Sequence, residues 1–419
     1  MLKVMDSPVA EEGAGRLTDL DEIARRGAQR MLATALEAEV QAYLETHRGE
    51  RDERGHARVV RNGKARPRKV TIGSGTLEVQ APRVNDRREG ERFSSRILPP
   101  YMRRSPKVAE VLPILYLRGL STGDFREALP VLLGEDAAGL SAANISRLVE
   151  VWREEYDGFR QRDLSELDYV YVWVDGIHLN IRLEDDRLCL LVMIGARPDG
   201  TKELLAVEDG YRESEESWAA VLRDLKRRGM RAPALAVGDR ALGFWSAVKD
   251  VWPETREQRD WVHRISNVLD KLPGRLQGRA KEQLREIMYA ECRATAEREI
   301  ERFRDEYEAG YPKAVASLTR DQETLLTFFD FPAEHWKHIR TTNVIESPFA
   351  TVRLRQRVTK GAGSRSRGLV MVFKLLAMAE KRWRRLDGHQ LLPLVRAGAA
   401  FNDGVLVERD DTEDRKVAA

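Results

Sequence analysis

Cysteine is almost absent from this sequence. Cys189 and Cys292 stand far apart with no C-x-x-C partner, which argues against a disulfide framework or a zinc ribbon and fits a reducing compartment. His47 and His56 lie among basic residues with no cysteine or histidine at ligand spacing, so no zinc site is expected there. Long apolar runs are missing too. Leu188 to Ala196 is among the longest and falls far short of the roughly 20 residues that span a bilayer. The opening MLKVMDSPVAEEGAG holds no long apolar segment, so no membrane or export signal is found and a cytoplasmic location is expected. Nor is one sign of charge in large excess: 71 Lys/Arg against 68 Asp/Glu leave +3. Any nucleic-acid signal must therefore come from how the charge is distributed.

What is present changes character along the 419 residues, a length that suits about two to four domains. Residues 1–16 are small, acidic and unpatterned, and 401–419 are charged, so both ends are expected to be disordered. Region 17–104 holds an N-terminal helix, with Leu20, Ile23, Ala24, Met31, Leu32, Leu36, Val40 and Leu44 at helical spacing. In the same region KVTIGSGTLEVQAPRV alternates around Gly-Ser-Gly like a hairpin, within a stretch, 51–104, of fifteen Lys/Arg against six Asp/Glu. Region 105–165 has a helix-turn-helix outline, with Ser121 or Thr122 and Ser141 as caps; three simply packed helices fit the same pattern. If the motif is real, the helix 142–152 enters the major groove with Asn144, Ser146 and Arg147 exposed. From 166 to 264 three β-rich runs, a helix opened by Ser214 and closed by Gly229, a strand, a helix and a short strand or turn make a mixed α/β block. Region 265–335 is nearly all helical in pattern, and 336–400 holds basic helices.

Three acids stand out. Asp175 ends the apolar run YVYVWV and Asp239 ends ALAVG, where a carboxylate has to pair with a cation or bind one to offset its desolvation. Two such acids on adjacent strands suit Mg²⁺, a hard ion that takes oxygen ligands, and Glu346 is placed to add a third ligand from a helix. Each acid also has a plainer reading. Asp175-Gly176 is a turn dipeptide, Asp239 suits the cap of a helix from Ala241, and Asn343 with Glu346 matches a capping box.

The blocks VWVDGIHLNIR, VGDRALGFW, QRDWVHRISNVLDKLP and HIRTTNVIESPFATVRLR, with RNGKARPRKVTIGSGTLEVQAPR and ILPPYMRRS nearer the N-terminus, closely resemble the bacterial Mutator-type insertion-sequence transposases. The likeness covers about Leu17 to Arg396. It implies a DDE enzyme with an RNase H-like core formed by 166–264 and 336–400, interrupted by the helical insertion and preceded by helical and β-hairpin DNA-binding regions. Asp175, Asp239 and Glu346 are then the catalytic and metal-binding residues for Mg²⁺ or Mn²⁺, and one site performs strand cleavage and strand transfer. Asp260 and His263 match the family's Asp-x-x-His element; His263 either helps the site or is a structural imidazole. Arg240 departs from the small residue expected after Asp239. Pro348 raises a choice: a helix from Asn343 loses a hydrogen bond there, whereas Ser347 as cap puts Glu346 just outside the helix.

DNA, as terminal inverted repeats and target, is the implied partner, with a homodimer or higher oligomer acting on paired ends and a nucleoid-associated location. From Arg340 to Arg385 there are twelve Lys/Arg and two Asp/Glu. Arg353, Arg355, Arg357, Lys360, Arg365 and Arg367 are the phosphate-contact candidates, and Asn144 and Arg147 the candidates for groove contact. Trp245, Trp252 and Trp261 read as core residues or, alternatively, as a stacking surface for an unpaired base. Two rival functions share parts of this pattern: an RNase H-like nuclease or resolvase that never joins strands, and a non-catalytic DNA-binding derivative.

Overall fold

The computed structural model describes residues 20–120, 122–133, 142–182, 187–210, 212–239 and 243–407. Both termini expected to be disordered fall mostly outside these bounds. Contacts divide the chain into two compact units, residues 1–116 with 120–145, and 117–119 with 146–419.

In the first unit, helix α1 (Leu20–Thr46) closes a small core of Leu36, Val70, Leu77, Val79 and Leu98. Of its apolar stripe, Leu20, Ile23 and Met31 remain exposed. The basic stretch forms strands β1 (Val59–Lys64), β2 (Arg68–Ile72), β3 (Gly75–Val79) and β4 (Pro82–Asp86). β2 and β3 make the expected antiparallel hairpin, with Ile72 opposite Gly75, and β1 pairs with β4. Helices α2 (Pro106–Leu117) and α3 (Thr122–Leu133) follow. The proposed caps Ser121 and Ser141, the side chain of Thr122 and the connection 134–140 lie outside the described residues.

Helix α4 (Ala142–Gln161) leads into the second unit, a mixed α/β fold. Its sheet has the order β7-β6-β5-β8-β9, built from β5 (Tyr171–Leu179), β6 (Leu188–Ala196), β7 (Lys202–Gly210), β8 (Leu235–Gly238) and β9 (Arg256–Arg259). β5, β6 and β7 form the expected antiparallel meander, while β8 runs parallel to β5 and β9 parallel to β8. The near-continuous apolar runs follow from burial on both faces. One face, with Val172, Val174, Leu191 and Met193, packs on Trp218 and Leu222 of α5 (Glu215–Arg227) and on Phe244, Trp245 and Val248 of α6 (Phe244–Val251). Each such side chain contributes about 1.5–3 kcal/mol on burial. Trp245, Trp252 and Trp261 are 5 %, 3 % and 0 % exposed, so all three take the core-packing role.

The expected insertion is helical throughout its main length: α7 (Trp261–Leu269), α8 (Gly274–Met288), α9 (Arg293–Tyr307), α10 (Pro312–Thr319) and α11 (Gln322–Leu325). It is pinned to β9 by the fully buried Gln258, which donates to the Leu325 carbonyl (3.0 Å) and accepts from the Phe328 N–H (2.8 Å). After α12 (Trp336–Ile339), helices α13 (Asn343–Thr359) and α14 (Arg365–Glu380) cover the second face of the sheet. α13 ends at Lys360 and Gly361, both in the left-handed region, and a Cβ at Gly361 would collide with the Asn180 carbonyl. That close approach lets Ala362 pair with the end of β5, through Ala362 N–H to Asn180 O (3.1 Å) and Arg182 N–H to Ala362 O (2.8 Å). The chain closes with α15 (Leu392–Arg396) and a hairpin of β10 (Phe401–Asn402) and β11 (Val405–Leu406). These strands correct the expectation of disorder from residue 401: Phe401 is buried, and the Gly404 N–H bonds the Phe329 carbonyl (3.0 Å). Among the described residues no helix is long and apolar enough to cross a membrane.

Candidate active site

Asp175 does not end its strand, and Asp175-Gly176 is not a turn. β5 runs on to Leu179, with Asp175 opposite Val192 and Gly176 opposite Leu191. What ends there is the pairing on the other side, because β8 meets β5 only as far as Trp173 opposite Val237. Asp175 and Asp239 each lie two residues beyond that last pair. The period of two therefore brings both acids to the same face of the sheet, at the same height, where β8 stops and β5 continues. Ala241, where the alternative reading starts a helix capped by Asp239, lies outside the described residues; α6 is described from Phe244 with Gly243 at its N-cap, and the Asp239 carbonyl accepts from Trp245 Nε1 (2.6 Å). Arg240 lies outside the described residues.

Glu346 reaches the same region on α13. The helix begins at Asn343, with Thr342 at the N-cap position, so neither an Asn343 capping box nor a helix starting at Pro348 is formed. Glu346 is in the first turn, its N–H bonded to the Thr342 carbonyl (3.0 Å). Pro348 sits inside the helix, buried beside Phe349, where burial of its ring offsets the missing donor. Asp260 fixes the start of this helix. It is 1 % exposed and caps α7 by accepting the His263 N–H (2.7 Å), while its other oxygen accepts the Thr342 N–H (2.9 Å). The His263 ring nitrogen Nδ1 lies 2.6 Å from Asp260 Oδ2 and 3.8 Å from Glu346 Oε1. Since the loop after α13 pairs with β5, the Glu346 helix is tied at one end to Asp260 and at the other to the Asp175 strand.

Burial and neighbouring charge shift two groups here, Asp175 and His263, toward their protonated forms. Burial is the main cause that pushes the Asp175 carboxyl from its ordinary 3.8 up to about 7, with Glu213 and Glu346 adding to the rise and His263 opposing it. His263 is raised from 6.5 to about 9, first by its hydrogen bond to Asp260 and then by the charges of Asp260, Asp239 and Asp175. Both shifts are upward, so the fold without a cation holds extra protons. The Asp175 contribution to stability is full below about pH 4 and lost as pH rises through about 7; that of His263 is lost between about 6.5 and 9. A divalent cation competes with these protons. Its affinity is expected to rise with pH between about 6 and 9 with proton release on binding, measurable by calorimetry in buffers of different ionisation enthalpy. Heats independent of the buffer would contradict this linkage.

Asp260, His263 and Glu346 offer ligand atoms within 4.8 Å of one another, as do His178, Cys189 and Glu213. Glu213 is a residue that sequence reasoning passes over, being only one of the acids beside the Ser214 cap. Its carboxylate lies over Gly176, where any Cβ would collide with Oε1, and 3.2 Å from His178 Nε2. No local pattern announces it, because Glu213 and Gly176 lie far apart in the sequence and meet only in the fold.

The basic candidates divide. Arg353, Arg357, Lys360 and Arg367 are exposed, as is Arg147 on α4, while Asn144 is half-buried. Arg365 is half-buried and held by Asp209 (2.7 Å). Arg355, expected on the phosphate-binding surface, is instead 5 % exposed and lies against Met371 (3.8 Å). The helical period explains this: Arg353 and Arg357 share the outer side of α13, whereas Arg355 continues the inward row of Ile345, Phe349 and Val352. Asn343 is exposed as the first residue of α13.

Asp175 and Asp239 each follow the last β5–β8 pair by two residues and Glu346 comes from the covering helix, but among the described residues neither cluster of ligand atoms within 4.8 Å includes Asp175 or Asp239. A family model for the Mutator transposases matches residues 3–385, and the chain belongs to that family. It is 56 % identical over 302 residues to the transposase of insertion sequence element IS6120 of Mycolicibacterium smegmatis, covering 72 % of this chain and 93 % of that protein. The transposase of IST2 from Acidithiobacillus ferrooxidans is 46 % identical over 70 % of this chain and 100 % of its own. Among solved structures, the Drosophila P element transposase strand transfer complex aligns over 70 % of this chain and 91 % of its own, at 12 % identity. Its TM-score of 0.23 is too low to define a shared fold.

Proposed function

We propose that the chain binds the terminal inverted repeats of its insertion sequence and cuts and joins DNA strands by a DDE mechanism, with Asp175, Asp239 and Glu346 holding Mg²⁺ or Mn²⁺. The observation that supports this reading is the register of β5 and β8: Asp175 and Asp239 each follow the last pair, Trp173 with Val237, by two residues, and the charge of Glu346 on α13 acts on Asp175. A sheet of three antiparallel strands extended by two parallel ones, with helices on both faces, supports an RNase H-like core. The donor set fits the ion in kind: three carboxylates, with Asp175 buried enough that its carboxyl is raised to about 7, a desolvation cost that a bound cation would offset. The chemistry a bound cation supplies is activation of the attacking oxygen and stabilisation of the leaving oxygen. The chain's own part is to hold the carboxylates, to fix Glu346 through Asp260, and to grip DNA with Arg353, Arg357, Lys360 and Arg367. A dimer or larger assembly brings two element ends together.

Purified protein incubated with labelled element ends and Mg²⁺ is expected to nick specifically at the ends and, given target DNA, to yield joined product. Nicks without joining would convert the assignment to a hydrolase, and binding without nicks to a DNA-binding derivative. In the same assay, Arg353→Glu with Arg357→Glu should weaken binding to all sequences alike and lower the slope of log K against log salt by about 1 per lost phosphate contact. An unchanged slope would remove α13 from the DNA surface.

A further inference from the structure

A cavity of about 450 Å³ lies between α7, α8 and the start of α13, within the roughly 300–1,000 Å³ typical of ligand sites. Val262, which precedes His263, and Asn343, which follows the Thr342 bonded to Asp260, both line it. Its wall carries four cations, of which Lys337 is already paired with Asp387. Lys281 and Arg285 of α8 are exposed; Arg340 is 9 % exposed, and no carboxylate pairs with it among the described residues. Arg340 Nη1 donates to the Met288 carbonyl (2.8 Å), yet Nε has no partner. A buried guanidinium without a counter-charge is costly unless an anion arrives to meet it. Next to it, Tyr289 is 61 % exposed although aromatic, with the Arg340 guanidinium 4.6 Å from its ring centre.

Cations alone describe a phosphate site; cations with an exposed ring and an apolar floor describe a nucleotide. The cavity is far too small for a duplex. We infer that it takes one unpaired nucleotide of the DNA strand next to the scissile phosphate, with its base stacked on Tyr289 and its phosphate met by Arg340, Lys281 and Arg285. The inference rests on the proposed DNA-cleaving function and adds to it that the strand is locally unpaired at the site. A single nucleotide seated there would orient the neighbouring phosphodiester toward the carboxylates.

The test uses the full chain with element-end DNA carrying 2-aminopurine at one flanking position at a time, with Ca²⁺ in place of Mg²⁺. One position is expected to change fluorescence as its base leaves the stack, and Tyr289→Ala should abolish that change. A short single-stranded oligonucleotide, measured in parallel, should bind about tenfold more weakly to Tyr289→Ala and to Lys281→Ala/Arg285→Ala, exposed positions where folding is not at stake. If element ends are nicked but no position responds, or the response survives Tyr289→Ala, the pocket assignment is overturned. If the oligonucleotide binds through Tyr289 but ends are never nicked, the catalytic reading fails while the pocket stands. Loss of both overturns both.

Discussion

Asp175→Asn is expected to abolish metal-dependent nicking, by about 10³-fold or more, while leaving the protein as stable as before or more so at pH 8. The two halves of this result follow from one fact. Asp175 is 8 % exposed in the middle of β5, and burial drives its carboxyl up to about 7. At pH 8 without a cation the folded chain has to hold that charge against its desolvation, and asparagine removes the cost at nearly constant volume. The same change removes a carboxylate from the proposed cation site. Residues that merely pack behave otherwise, losing activity only as far as they lose stability. Urea unfolding at pH 8 set beside end-nicking by the same preparation checks both halves. Retained nicking would remove Asp175 from the site, and a large loss of stability would mean that its charge is already paired in the fold.

Much of this arrangement is legible before any coordinates, and the gaps have physical causes. The meander of β5 to β7, the α5 and α6 helices and the helical insertion declare themselves through long runs of one period. Asp175 misleads because a polar residue after YVYVWV looks like a strand end; what stops there is the partner strand β8, and pairing between strands is not a local property. Pro348 misleads for a related reason, since helix propensity counts the lost hydrogen bond but not the burial of the ring beside Phe349. Arg355 counts as basic in any tally of charge, yet two residues along a helix is a turn of 200°, which carries it from the Arg353 side to the inward row. The β10–β11 hairpin escapes notice because its two-residue strands show no period and owe their order to Phe401 and to the Phe329 carbonyl. The candidate site is legible as a set of acids in sequence order. The proton-bearing network around it is not, because Glu213, Thr342 and Arg340 acquire their surroundings only through tertiary contacts.

The second large effect is expected at Asp260, whose part in the sequence motif is ambiguous until its contacts are counted. One carboxylate, 1 % exposed, accepts from the His263 N–H and the Thr342 N–H and lies 2.6 Å from the His263 ring nitrogen. Asp260→Ala leaves two amide donors without that acceptor and the imidazolium without its nearest counter-charge, a loss expected to cost about 3–5 kcal/mol. Nicking should fall further than that destabilisation accounts for, because the start of α13 and with it Glu346 is held by the Thr342 bond. Asp260→Asn separates the two roles. The amide oxygen still accepts the Thr342 N–H, so the helix start is kept, but the charge that chiefly raises His263 is gone. Its titration should therefore move from about 9 back toward the ordinary 6.5, followed by NMR of the imidazole protons. With that shift the pH range over which cation binding releases protons should move downward. If His263 still titrates near 9 in Asp260→Asn, the charge that holds its proton comes from Asp175 and Asp239, and those acids rather than Asp260 set the protonation of the site.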